Sequence, residues 1–192
     1  MMRFPGFRRL LPRLFPLALA LALPACAETQ FLLHTAKKLN QGRDGGVYKV
    51  GEPYQINGVR YYPAEDYGYD ETGIAAWYGS DFHGKATANG ETYDMNEVTA
   101  AHKTLPMPSL ARVTNLENGR SLIVRVNDRG PFVAGRIIDL SRRSAQLLGT
   151  EGKGTARVRV QILVDESREI ANRMKAQGAI ANARVMLAPQ SD

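Results

Sequence analysis

Leu110-Ala111-Arg112-Val113-Thr114-Asn115-Leu116-Glu117-Asn118-Gly119-Arg120-Ser121-Leu122-Ile123-Val124-Arg125-Val126-Asn127 is the stretch that decides the fold. Two apolar, β-branched runs, residues 110–116 and 121–127, flank Glu117-Asn118-Gly119-Arg120, a hairpin loop signal. Further on, residues 155–164 alternate. Val158, Val160, Ile162 and Val164 fall on one face, and Arg157, Arg159 and Gln161 on the other. Residues 73–78, 98–101 and 136–140 are three more short runs of the same kind. Six short strands within roughly 95 residues bury their edges only in a closed sheet. The expectation is a mainly β chain: a six-stranded β-barrel over residues 72–165, with short helices between strands. Ser141 is placed to cap a helix running to Leu148, and Gly149 to end it. Asp94-Met95-Asn96-Glu97 fits a variant capping box, so a short helix is expected to open at Asp94.

Upstream of the barrel, residues 47–71 hold six of the eight tyrosines. Asn57-Gly58 stands between Tyr54-Gln55-Ile56 and Val59-Arg60-Tyr61-Tyr62, the strongest short hairpin signal in the chain. An aromatic hairpin packed on the barrel is favoured over a sugar-stacking platform. Residues 26–46 are polar and glycine-containing and read as a tether, with a short helix around residues 31–39. Residues 166–192 are charged, Ala-rich and helix-permissive, a helical or disordered tail that frays over residues 187–192.

The first 25 residues read as an export signal. Arg8, Arg9 and Arg13 precede a short apolar stretch, residues 14–23, too short to span a bilayer comfortably. Leu23-Pro24-Ala25-Cys26 resembles a bacterial lipobox, which would lipidate Cys26, the only cysteine. Cleavage after Ala27, which would leave a soluble periplasmic protein, is the rival reading. Ala27, not aspartate, follows the cysteine; the resemblance to Gram-negative lipoproteins then implies an outer-membrane lipoprotein facing the periplasm. The formal charge of +6 suggests a nucleic-acid binder, but Arg3, Arg8, Arg9 and Arg13 of the signal carry most of it. The remaining 21 basic residues stand against 19 acidic ones, so no nucleic-acid partner is expected. One cysteine and three scattered histidines offer no metal-ligand spacing, and no cofactor motif is present.

Three segments carry candidate chemistry: Ala75-Ala76-Trp77-Tyr78-Gly79; the run from Gly84 through Asn89-Gly90-Glu91 to His102 and Pro106; and Val126-Asn127-Asp128-Arg129-Gly130-Pro131-Phe132 with Arg136-Ile137-Ile138-Asp139-Leu140-Ser141. Asp128 ends an apolar strand where a polar turn begins. A partly desolvated carboxyl there has the raised pKa that a general acid needs. As a plain turn residue it would only accept backbone N–H bonds, and on residue chemistry alone that reading is the stronger. Glu91 is a loop carboxylate or a surface charge. Asp94 suits an N-cap better than a catalyst. His102 suits a site residue and a satisfied strand-end residue equally. Asp139, between Ile138 and Leu140, is expected to be buried, paired with Arg136 or Arg129, and structural. Trp77 and Tyr78 are core residues or an aromatic face for a sugar ring.

At these segments, and at Val50-Gly51-Glu52-Pro53-Tyr54 with Ile56-Asn57-Gly58, the chain resembles the rare lipoprotein A family of septal-ring-type lytic transglycosylases. The resemblance implies a double-psi β-barrel, the fold of expansins, barwin and some endoglucanases. It implies a carbon–oxygen lyase that cuts the β-1,4 bond between N-acetylmuramic acid and N-acetylglucosamine in peptidoglycan. The muramic 6-hydroxyl attacks its own anomeric carbon, leaving a 1,6-anhydro end. Peptide-poor glycan strands are the implied substrate and partner. Carried onto matching positions, Asp128 is the acid/base, with Glu91 and His102 beside it as catalytic residues. Trp77, Tyr78, Asn89, Asp94, Asn127 and Arg129 are the expected substrate-binding residues. A non-catalytic, expansin-like wall-binding or loosening module is the alternative, and a hydrolase pairing Glu91 with Asp128 is a third reading. Many family members end in a SPOR module, for which the 27 residues after Asp165 are too few.

Overall fold

The computed structural model describes residues 46–186. The expected signal, the lipidated Cys26, all but the last residue of the tether with its helix, and residues 187–192 lie outside the described residues. An antiparallel hairpin comes first: β1 (Tyr54–Ile56) and β2 (Val59–Tyr61). Asn57 and Gly58 both take left-handed φ, +50° and +80°, the pair a two-residue hairpin turn requires. Six strands follow: β3 (Asp70–Tyr78), β4 (Thr99–His102), β5 (Ser109–Asn115), β6 (Ser121–Asp128), β7 (Arg136–Ser141) and β8 (Thr155–Ile162). They close in the order β3-β7-β4-β6-β5-β8. The pairs β3–β7 and β4–β6 are parallel, and the other four are antiparallel. This is the six-stranded closed barrel expected from the alternating runs.

The inside of the barrel is filled by one face of each strand. Val113, Val124, Val126, Ile138, Leu140, Val158 and Val160 are fully buried in one cluster. A short helix, α1 (Arg142–Leu148), adds Ala145 and Leu148 to it. The helix starts where its cap was expected: Ser141 Oγ accepts from the Ser144 N–H. It ends at Gly149, whose φ of +71° suits glycine. A second helix, α2 (Val164–Met186), lies against β5 through Ile170. Its Ser167 hydroxyl accepts from Leu110 N–H and donates to Leu110 O.

Several boundaries differ from expectation. The helix expected at Asp94 is a turn. Asp94 Oδ1 accepts from Asn96 N–H at 2.8 Å, two residues on, and Asp94 O accepts from Glu97 N–H. Strand β4 begins at Thr99, so no length is left for a helical turn. Val164 opens α2 instead of closing β8, because Leu163 N–H reaches Leu110 O and the chain leaves the barrel there. Strand β3 starts at Asp70, three residues before the expected start at Gly73.

Candidate active site

Strict alternation along β6 puts Leu122, Val124 and Val126 inside the barrel, and would put Asp128 there too. A bulge prevents this. Ala100 pairs with Val126, but Ala101 pairs with Asp128, so Asn127 is an extra residue on β6. Asp128 is thereby turned to the face away from the core, beside Ala101. Ala101 also pairs with Asp139 of β7, and Asp139 with Ala76 of β3. One row across four strands therefore reads Ala76, Asp139, Ala101, Asp128. The alanines make a low floor, and the two aspartates stand two strands apart, about 10 Å between backbones.

Asp128 is half-buried. Its Oδ1 accepts from Ala88 N–H at 2.9 Å and from Arg129 N–H at 2.8 Å. Among the described residues, no hydrogen bond falls on Oδ2. Burial raises its pKa above the ordinary carboxylate value, and outweighs the lowering by the two N–H groups and the Arg129 charge. Asp139 is 8% exposed and, as expected, paired with Arg136, at 2.7 Å through Oδ2. Among the described residues its Oδ1 is buried without a hydrogen-bond partner. Burial also raises the Asp139 pKa, against the pull of Arg136.

Glu91 lies 1% exposed beneath the loop that carries Ala88. Arg125 reaches its Oε1 at 2.7 Å through Nη2 and both oxygens through Nε. Asn89 donates to Oε1, and Asn127 to Oε2, each at 2.9 Å. Burial, the largest single influence, would raise the Glu91 pKa, but Arg125, Asn89 and Asn127 together outweigh it and the carboxylate stays below its ordinary value. Gly46 packs on top, where a Cβ would come within 2.6 Å of Glu91 Cγ. The loop so pinned turns back on itself, with Thr87 N–H on Glu91 O and Gly90 N–H on Thr87 O. Its tip presents the Ala88 N–H to Asp128.

His102 is buried. Its Nδ1 accepts from Thr104 and Leu105 N–H, which leaves the proton on Nε2, and Tyr69 packs edge-on at 4.7 Å. Burial, then the charges of Arg129 and Lys103, push its pKa down to about 3, so the ring is neutral near pH 7. The Arg129 guanidinium donates to the carbonyls of Leu105, His102 and Val50. Asn89, Asn127 and Arg129 thus bond protein partners at the site they were expected to line. Asp94 lies 3.6 Å from His83 Nδ1 and closes its own turn. Trp77 and Tyr78 point to opposite faces of β3. Tyr78 stacks on Tyr93 at 4.4 Å, near Asp128. Trp77 instead packs against the barrel core and lines an open cleft of about 350 Å³ with Phe82, Arg142 and Glu151. Arg125 did not stand out in the sequence. A lone arginine inside Leu122-Ile123-Val124-Arg125-Val126 was the available signal, since a buried arginine demands a carboxylate. Among the described residues no cluster suited to a metal ion occurs.

A closed six-stranded barrel with two parallel strand pairs is the architecture of a double-psi β-barrel. Residues 70–160 match the family described as "Lytic transglycolase". The chain is 61% identical over 110 residues to the endolytic peptidoglycan transglycosylase RlpA of Pseudomonas aeruginosa strain UCBPP-PA14, covering 57% of this chain and 32% of that one. It is 54% identical over 120 residues to the protein of that name from Neisseria meningitidis strain Z2491, covering 62% and 50%. The Rickettsia bellii protein of that name is 47% identical over 133 residues, covering 68% and 59%. The chain thus spans between about a third and three-fifths of the length of these curated relatives. The barrel, residues 70–160, is the part of the chain that matches the lytic transglycolase family, and it is similar to the corresponding part of the rare lipoprotein A proteins.

Two outcomes follow from the buried groups. Replacing Glu91 with Gln removes the carboxylate charge that faces the buried Arg125 at 2.7 Å. It should destabilise the fold by about 3 kcal/mol or more, read by denaturant unfolding. An unchanged midpoint would show that the pair holds nothing. His102 is neutral in the fold but takes up a proton near pH 6.5 when unfolded. Its contribution to stability is full above that pH and declines as pH falls, by about 1.4 kcal/mol per unit, down to its folded pKa of about 3. A His102→Gln variant should show a shallower loss between pH 6 and 4 by thermal unfolding, and a parallel curve would contradict the assignment.

Proposed function

We propose that this protein is an endolytic peptidoglycan lytic transglycosylase, cutting between N-acetylmuramic acid and N-acetylglucosamine on peptide-poor strands. The observation that carries the reading is the Asp128 carboxyl: one oxygen on two backbone N–H groups, the other without a hydrogen bond among the described residues, and a pKa raised by burial. Protonated, it gives its proton to the glycosidic oxygen as the C1–O bond breaks. The muramic 6-hydroxyl oxygen then bonds to C1 of its own ring, and its proton passes to the Asp128 carboxylate, restoring the acid. Nucleophile and electrophile share one sugar, so the attack is intramolecular and needs no activated water. Glu91, with both oxygens engaged, serves as the anchor of the Ala88 loop. His102, neutral, serves to hold the 102–105 turn.

The alignment of Asp139 with Asp128 across β4 favours one second reading, hydrolysis with Asp139 as the base for a water on the opposite side. We also infer that Cys26 carries the acyl anchor, with palmitate among its chains, and fixes the barrel to the outer membrane in the cell envelope. The lipobox-like Leu23-Pro24-Ala25-Cys26 supports this. No helix among the described residues is long and apolar enough to cross a membrane.

Asp128→Asn should abolish the release of new glycan ends from purified sacculi while the thermal midpoint is kept. Release at the parent rate would remove Asp128 from the acid role. In the parent, the rate should fall as pH rises through the elevated Asp128 pKa, because the acid form is lost. For the anchor, labelled palmitate should enter the parent and not Cys26→Ala; equal labelling of both would exclude lipidation at that position.

A further inference from the structure

Lys103 follows His102 at the end of β4, two residues beyond Ala101, which pairs with both Asp128 and Asp139. Its side chain is part-buried, with Nζ 5.9 Å from the centre of the Tyr61 ring. Tyr61 stacks on Tyr54 at 5.1 Å, and both rings touch Phe132, which follows Asp128 by four residues. The Tyr54 hydroxyl ties this cluster down by donating to Lys103 O at 2.7 Å. Phe132 and Val133 remain exposed at 36% and 55%. The rim beside the aspartate row is therefore an aromatic shelf formed by the β1–β2 hairpin and the loop after Asp128.

The charges on this rim are unevenly paired. Arg136 is held by Asp139, Arg129 by three backbone carbonyls, and Lys49 donates to Ala88 O. The Lys103 ammonium forms no ion pair among the described residues, yet its charge reaches both Asp139 and His102. A part-desolvated cation over an aromatic ring, with no carboxylate of its own, is suited to an anion brought by the ligand. A glycan strand of peptidoglycan offers one kind of anion, the lactyl carboxylate of its muramic acid residues. That carboxylate is free only where the stem peptide has been removed; elsewhere it is an uncharged amide.

Building on the transglycosylase reading, we propose that Lys103 binds the free lactyl carboxylate of a muramic acid residue while Tyr61 and Phe132 carry the adjoining sugar face. Lys103 then determines specificity for peptide-free strands, and the hairpin takes part in the site. The wall Lys103 forms is chemically selective in a way an aromatic platform alone is not. Rings stack on any sugar, but only the ammonium distinguishes a carboxylate from an amide.

The test compares peptide-free strands bearing free lactyl carboxylates with the same strands after conversion to methyl amides. The parent should lose about tenfold or more in kcat/KM on the amidated strands, the size of one charge-assisted contact. Lys103→Met should treat both substrates alike, at the parent's amide rate, with kcat at saturation little changed. Lys103→Arg should restore the preference. A Lys103→Met variant that keeps the parent's discrimination overturns the proposal, as does a parent with none. The same pair of strands is also tested by affinity in Asp128→Asn and in Asp128→Asn with Lys103→Met. A charge-dependent affinity that Lys103→Met removes upholds the proposal even if the parent forms no anhydro ends. Equal affinities for both strands overturn it even if turnover is confirmed.

Discussion

The buried pair of Glu91 and Arg125 is the interaction on which the geometry of the site rests. Arg125 lies in the middle of β6, flanked by core valines, and is 1% exposed. A charge so placed is tolerable only with a carboxylate on it, and Glu91 supplies both oxygens. Since Glu91 is carried by a loop, satisfying Arg125 also docks that loop on the outer face of the sheet. Docking aims the Ala88 N–H at Asp128. A requirement of the strand interior is thus converted into the position of a hydrogen-bond donor at the rim.

The second constraint is the bulge at Asn127. Without it the period of two along β6 would bury Asp128 among Val124, Val126 and Leu140. With it, Asn127 turns its amide to Glu91 and Asp128 joins the row of Ala76, Asp139 and Ala101. Two alanines in that row keep the floor low, so a broad polymer can approach a carboxyl that sits on a flat sheet. Burial by the loop on one side then raises the proton affinity of Asp128 without sealing its second oxygen.

The architecture was largely legible in the residues, and the site only in part. Alternation in residues 155–162, the Glu117–Arg120 gap, Asn57-Gly58, and the Ser141 cap with its Gly149 stop are local signals, and each appears where local chemistry puts it. What the residues left open were questions of face and partner. Trp77 and Tyr78 read as core or as an aromatic face; as neighbours in a strand they point to opposite sides, Trp77 to the core and Tyr78 to Tyr93. Asp94 had a helix-capping sequence, but an Asx turn and the early start of β4 took precedence. The pairing of Asp139 with Arg136 is local and legible, but its alignment with Asp128 exists only once β4 lies between them. Nothing in the sequence links Glu91 to Arg125, which stand 34 residues apart. Long-range pairings of this sort are set by barrel closure, not by spacing.

Asp128 as acid, with the sugar's own hydroxyl as nucleophile, is the central claim, and it has a direct chemical signature. Peptide-free glycan strands should be digested with the parent protein and the fragments weighed by mass spectrometry. The account predicts fragments whose masses sum to that of the uncut strand, each cut leaving a 1,6-anhydromuramic end. Fragments heavier by one water per cut would contradict it, and would assign the chemistry to a hydrolase using a second carboxylate.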